Sequence, residues 1–159
     1  MPYLVIPLKN TRQTGVLPPT LQVDSERGAA FQLPFFWAIN RSQDLTISPK
    51  YYTKSGLQML ANYRYVLSEN SNGELDYGIL KDRHRQEGYE HLENQNRWHL
   101  SYGHHLELPN NYVQRTDIHL ASDIAYPLHF QQQFNFVGEP ALDNRMSLTK
   151  HLEGYHLSL

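Results

Sequence analysis

Residues 34–66 read PFFWAINRSQDLTISPKYYTKSGLQMLANYRYV, dense in aromatic and β-forming side chains yet broken by Arg, Asp, Lys, Gln and Asn at short intervals. A soluble core would bury the apolar members, and a membrane helix would not hold the charges. The period decides between them. In 56–65, Leu57, Met59, Ala61, Tyr63 and Tyr65 fall on one face, and Gln58, Leu60, Asn62 and Arg64 on the other. In 97–108, Trp98, Leu100, Tyr102, His104, Leu106 and Leu108 alternate with Arg97, His99, Ser101, Gly103, His105 and Glu107, His104 being the polar exception on its face. The stretch 44–51 repeats the rhythm, with Leu45, Ile47, Pro49 and Tyr51 against Asp44, Thr46, Ser48 and Lys50, as does 154–159. A period of 2 sustained this way predicts strands with one apolar and one polar face.

Turn-forming clusters separate these segments: DSERG (24–28), NRSQD (40–44), KSG (54–56), SENSNG (68–73) and EG (153–154). Their spacing predicts an all-β antiparallel meander. The charged stretch 82–96 reads as a long loop, and 121–143, with Pro127, Gly138 and Pro140, as irregular. Eleven Tyr, six Phe and two Trp accompany nine Gly and nine Pro, a composition of strands joined by turns. A net charge of −2 offers no electrostatic footprint for nucleic acid, and the absence of Cys leaves no disulfide to report a redox compartment. The opening MPYLVIPLKNTRQTG lacks the pattern of a signal peptide, and no apolar run is long enough for a transmembrane helix.

Chemistry is hard to find. Nine histidines invite a metal, but His99 and His105 stand about 20 Å apart along an extended strand, and His104 and His105 face opposite ways. No HExxH spacing or nucleophile elbow occurs. Asp44, Glu74, Asp76 and Asp117 could pair across strands as a glycosidase requires, but they read better as isolated, solvated carboxylates. No catalytic residue, metal or cofactor is expected, and the chain does not read as an enzyme.

Alternation alone fits a soluble β-sandwich as well as a membrane β-barrel. Two features lean towards the barrel. Several segments reach the roughly 9–11 residues that cross a bilayer at a tilt, and Trp37, Tyr51, Tyr52, Tyr63, Tyr65 and Trp98 cluster near segment ends, where interfacial aromatics sit. The competing reading is a soluble β-sandwich that binds carbohydrate through Trp98 and Tyr102. Pro19 and Pro34 fall within the first two strand-like segments, where each removes a ladder donor.

The residues also carry a resemblance. Arg12, Thr14, Gly15, Leu17 and Pro19, then Leu33 to Trp37, then Asp44, Thr46, Ile47, Pro49 and Tyr51, then Lys54, Gly56 and Tyr63-Arg64-Tyr65 resemble the start of the barrel in the LptD (lipopolysaccharide-assembly, or organic solvent tolerance) family. The likeness continues through GELDYGILKDR, RWHLSYGHH and LASDIAYPLHF to RMSLTKHLEGYHLSL, and PYLVIPL resembles the last strand of the family's periplasmic jelly roll. Family members are several times longer, so this chain reads as a fragment. Residues 1–13 would close the jelly roll and 14–159 would form the first strands of an incomplete outer-membrane barrel.

The resemblance implies a part in the translocon that inserts lipopolysaccharide into the outer leaflet of the Gram-negative outer membrane. Its expected partners are lipopolysaccharide, outer-membrane lipids, the lipoprotein LptE inside the barrel and the bridge protein LptA through the jelly roll. It implies a lateral gate weakened at Pro19 and Pro34. Gln58, Asn62, Arg64, Arg97 and His99 would then face the lumen, and Leu57, Met59, Tyr63, Trp98 and Leu100 the lipid. An added Arg is expected to be tolerated at Gln58, Asn62 and His99 and to be harmful at Leu57, Met59 and Leu100.

Overall fold

The computed structural model describes residues 12–83, 90–93, 95–126, 144–152 and 155–158. Among them eleven strands form one antiparallel sheet. They are β1 (Gly15–Val16), β2 (Thr20–Asp24), β3 (Gly28–Gln32), β4 (Phe35–Ala38), β5 (Gln43–Tyr52), β6 (Gly56–Ser68), β7 (Ser71–Lys81), β8 (Asn96–Leu108), β9 (Tyr112–Ala121), β10 (Arg145–Leu152) and β11 (Tyr155–Ser158). From β5 to β11 each strand pairs with the next, as a meander requires. The jelly-roll segment falls almost wholly outside the described residues, as do the EG turn and most of 121–143.

The turns follow from their residues. At 25–27, Asp24 Oδ1 accepts the backbone N–H groups of Glu26 and Arg27 at 2.8 and 2.9 Å, an Asx turn that ends β2. At 109–111, Asn110 and Asn111 both take positive φ, 65° and 63°, the left-handed conformation that Asn tolerates better than most residues. Within the 82–96 stretch, Glu90–Leu92 forms a short 3-10 turn.

The first two long segments are each broken once. β1 and β2 are successive parts of one strand, interrupted at 17–19, and β3 and β4 are parts of the next, interrupted at 33–34. β3 and β4 both pair with β5 in a single register, Gln32 with Lys50 and Phe35 with Ile47. Against the first strand the register slips. Val16 pairs with Phe35 and Thr20 with Gln32, so Leu17, Pro18 and Pro19 oppose only Leu33 and Pro34. That is a β-bulge. Pro19 and Pro34 therefore lie in breaks between short strands rather than inside continuous ones.

Burial runs opposite to that of a soluble protein. The buried apolar cluster is small: Ala30, Tyr52, Leu80 and Tyr126. Far more of what the chain hides is polar, including Asp44, Ser48, Lys50, Gln58, Arg97 and His99. Leu57, Met59, Phe35, Trp37, Tyr51, Leu120 and Met146 are exposed.

Candidate functional site

The register assigns every side chain to a face. Asp44 pairs with Arg64, Thr46 with Asn62, Ser48 with Leu60 and Lys50 with Gln58 between β5 and β6. Asn62 then pairs with Asp76, and Asp76 with Ser101; Gly78 pairs with His99 and Leu80 with Arg97. Gln58, Asn62, Arg64, Arg97 and His99 thus share the polar face. Leu57, Met59, Tyr63, Trp98 and Leu100 share the opposite one, with Met59 beside Ile79, and Ile79 beside Trp98.

Of the four carboxylates expected to be isolated and solvated, Glu74 and Asp117 are exposed, Asp76 is half-buried and Asp44 is buried and paired. Asp44 is 1% exposed and accepts from Arg12 Nη1 and from Arg64 Nε, both at 2.8 Å. A buried carboxylate needs such partners, since leaving it unpaired costs several kcal/mol. Arg12 lies ahead of β1, so this pairing ties the lead-in of the first strand to β5. Nearby, the Thr14 hydroxyl accepts the Ala38 N–H at 3.0 Å. Asn62 Nδ2 donates to Glu74 at 2.6 Å and to Asp76 at 2.7 Å, holding two like charges on one amide.

At the other end of the polar face a polar plug is formed. Arg97, 2% exposed, donates to Asp82 at 2.9 Å and, through two nitrogens, to Asp123 at 3.0 and 2.9 Å. Burial would raise the Asp123 pKa, but hydrogen bonds from Arg97 and Ser122 hold it below the ordinary carboxylate value. Tyr126 folds back from the end of β9 under this ion pair, with the Arg97 guanidinium 5.4 Å from its ring centre. Gln58 Nε2 donates to the Tyr126 hydroxyl at 3.0 Å, and that oxygen lies 3.0 Å from His99 Nδ1. Burial pushes the Tyr126 hydroxyl's pKa up, so it stays protonated between the amide and the imidazole. His99 fits because Gly78 opposite it has no side chain: a Cβ there would collide with the imidazole.

This packing corrects the expectation that Arg is tolerated at Gln58 and His99. Both side chains are filled in by Tyr126, and neither position has room. Asn62 lies between two carboxylates, so the expectation of a tolerated Arg is kept for that position alone. Tyr126 and Asp123 escape any reading by period because they lie past the last alternating residue of β9. Their sequence signal is the family-like stretch LASDIAYPLHF, which marks the segment without saying what either side chain touches.

The apolar face ends in a cluster of rings. Tyr65 lies against Gly73, where a Cβ would collide with the ring. Its hydroxyl crosses β7 to reach the Tyr102 hydroxyl at 2.8 Å and His104 Nδ1 at 2.8 Å. Tyr102 and His104 stack at 6.0 Å with 9° between their planes. The exceptional histidine is thereby bonded into an aromatic belt.

In the broken strands, the Leu17 N–H donates to Pro34 O at 2.8 Å and the Leu33 N–H to Pro49 O at 3.1 Å. An antiparallel pair of this kind normally exchanges two bonds. Proline cannot return the second, so both pairs are half made. Pro49 completes a row with Pro34 and the Pro18–Pro19 bulge, one that the sequence reading took only as a motif residue.

Comparison with known proteins agrees with the arrangement. The family model described as LptD protein matches residues 1–157. Relatives named LPS-assembly protein LptD include that of Ectopseudomonas mendocina, 29% identical over 97% of this chain and 16% of its own. That of Vibrio vulnificus is 32% identical over 79% of this chain and 15% of its own, and that of Pseudoalteromonas atlantica 26% identical over the full chain and 20% of its own. The chain spans a fifth or less of the length of these relatives. With a sheet of this topology and a family match running from its first residue to 157, the chain belongs to the LptD family.

Proposed function

We propose that this chain supplies the first strands of an outer-membrane barrel through which lipopolysaccharide is inserted into the outer leaflet. The observation that carries the reading is the inverted burial: polar side chains packed on one face, and large apolar ones exposed on the other. In water that arrangement is unfavourable over every exposed Leu and Phe. In a bilayer it is what a barrel wall needs. A β-sandwich would bury its apolar faces between two sheets, so the carbohydrate-binding sandwich does not account for it.

The outward band has a suitable height. Leu57 to Tyr65 on β6 spans roughly 27 Å along the strand, which at a barrel tilt of about 35–45° covers about 19–22 Å of the roughly 25 Å apolar band. Described connections at the end that carries 39–42, 69–70 and 109–111 are all short, whereas the other end carries the long 82–95 and 122–144 beside the short 25–27 and 53–55. Barrels place short turns on the periplasmic side, so the Tyr65–Tyr102–His104 belt lies at the periplasmic interface and the Arg97 plug at the outer mouth.

In this reading Gln58, Asn62, Arg64, Arg97 and His99 face the lumen, and Leu57, Met59, Tyr63, Trp98 and Leu100 face lipid. Residues 1–13 belong to the end of a periplasmic jelly roll that receives lipopolysaccharide from LptA, and LptE occupies the completed barrel. Pro19, Pro34 and their half-made pairs weaken the first strands where the wall parts sideways. No catalytic step is needed.

Depletion of the full-length protein from cells tests this. Newly made lipopolysaccharide should stop reaching the surface and accumulate behind the outer membrane. Continued surface delivery without the protein would refute the reading.

A further inference from the structure

A polar groove of about 260 Å³ runs beneath the first strands, lined by Gln22, Gln32, Thr46, Ser48, Lys50 and Asp76 among others. Amides, hydroxyls and one carboxylate are the usual contacts of a sugar ring, and the groove is too small for a bundle of acyl chains. Its cation is Lys50, only 6% exposed. Among the described residues Lys50 makes no ion pair. Its ammonium donates to the side-chain oxygen of Gln22, 2.7 Å away across the intervening β3, and lies 5.0 Å from the Tyr52 ring centre. The carboxylate of Asp24, whose charge acts on Lys50, is bonded to Arg27. The acid that lines the groove, Asp76, is bonded to Asn62.

We propose that Lys50 reads an anionic substituent, a phosphate or a carboxylate, on a carbohydrate passing through this groove, and that the anion takes the place of the Gln22 oxygen. The inference rests on the transport reading above and names a subsite within it. A buried ammonium holding a neutral amide oxygen exchanges it readily for a charged one, because the anion adds Coulomb attraction to the hydrogen bond where little water screens it. Gln22 sits on β2, beyond the proline bulge, in the hairpin that this bond ties to β5. Binding of the anion therefore releases a side-chain tie on the strand nearest the seam, and passage of the sugar loosens the first hairpin.

The test places a photo-crosslinking benzoylphenylalanine at Thr46 in the full-length protein and measures lipopolysaccharide captured in cells and in proteoliposomes. Lys50→Gln should lower capture about tenfold, the equivalent of one charge-assisted hydrogen bond. Lys50→Arg should retain capture, and Gln22→Ala should raise it. Lipopolysaccharide stripped of phosphate should lose the same factor on the parent and nothing further on Lys50→Gln if phosphate is the group read; carboxyl-reduced lipopolysaccharide should do so if the carboxylate is. Equal capture by Lys50→Gln, in protein of unchanged heat-modifiable mobility, would remove the subsite and leave transport standing. Indifference of the parent to both treatments would also remove it, whether or not Lys50→Gln assembles. No capture at Thr46 in the parent would remove the subsite, and the depletion experiment would still decide transport.

Discussion

Leu17 donates its N–H to the carbonyl of Pro34 at 2.8 Å, and Pro34 has no N–H to return. The pair thus holds the first two strands together with one bond where a regular ladder has two. Pro34→Val should supply the second, worth about 0.5–1.5 kcal/mol. The expected phenotype is a full-length barrel that assembles normally and delivers less lipopolysaccharide to the surface. It is read by comparing surface lipopolysaccharide at equal barrel level and unchanged heat-modifiable mobility. Normal delivery by the assembled variant would take the gating role away from Pro34.

The two faces should respond differently to charge. Leu57→Arg or Met59→Arg places a cation on the apolar face and should cost about 2–4 kcal/mol near the bilayer midplane. Asn62→Arg should be close to neutral, because Glu74 and Asp76 already converge there. Gln58→Arg should damage assembly as much as Leu57→Arg, for the different reason that Tyr126 fills its site. Urea titration of refolded full-length protein in lipid should set Asn62→Arg apart from the other three variants. Damage at Asn62 equal to that at Leu57 would mean that the polar face is dry and closely packed there too.

Much of this was legible from alternation. A period of 2 assigns faces without knowledge of partners, which is why Gln58, Asn62 and Arg64 fall together and Leu57, Met59 and Tyr63 opposite. Proline chemistry likewise marked residues 19 and 34 as places where the ladder weakens. What period cannot supply is contact at long separation. Asp44 reads as a solvated carboxylate until Arg12, 32 residues earlier, is seen bonded to it. Gln58 and His99 read as wet lumen positions until Tyr126 is folded over them from 68 and 27 residues away. The bulge at 17–19 depends on the register of two strands at once.

The Arg97 plug should tolerate acid well. The Asp123 pKa is depressed in the folded protein, so its contribution to stability is fully present above its unfolded value near 3.8 and is lost as pH falls through the lower folded value. The loss of amide-exchange protection at Ser122 caused by Asp123→Asn, measured against the parent at each pH, should stay constant from neutral pH down to about 5 and shrink only below about 4. Arg97→Met should abolish that protection at every pH and cost about 3–5 kcal/mol, because it leaves Asp82 and Asp123 without their shared cation. A difference between parent and Asp123→Asn that already vanishes above pH 5 would show that Arg97 does not hold Asp123 ionised.

The Tyr65–Gly73 contact makes a prediction that separates a joint between strands from ordinary packing. The ring lies where a Cβ on Gly73 would have to be, and only in that position does its hydroxyl reach Tyr102 and His104 on the strand beyond. Gly73→Ala should lift the ring and break both hydroxyl contacts, at about 1–3 kcal/mol. Tyr65→Phe keeps the ring over Gly73 and removes only the hydroxyl, so it should cost about 1 kcal/mol. With Tyr65→Ala in place, Gly73→Ala should cost little, since the added methyl then meets no ring. The double-mutant cycle on full-length protein unfolding from lipid should therefore give a coupling of about 1–2 kcal/mol between positions 65 and 73. Additive effects would mean that the ring rests on Gly73 without depending on it, and that the belt is held by lipid rather than by this side chain.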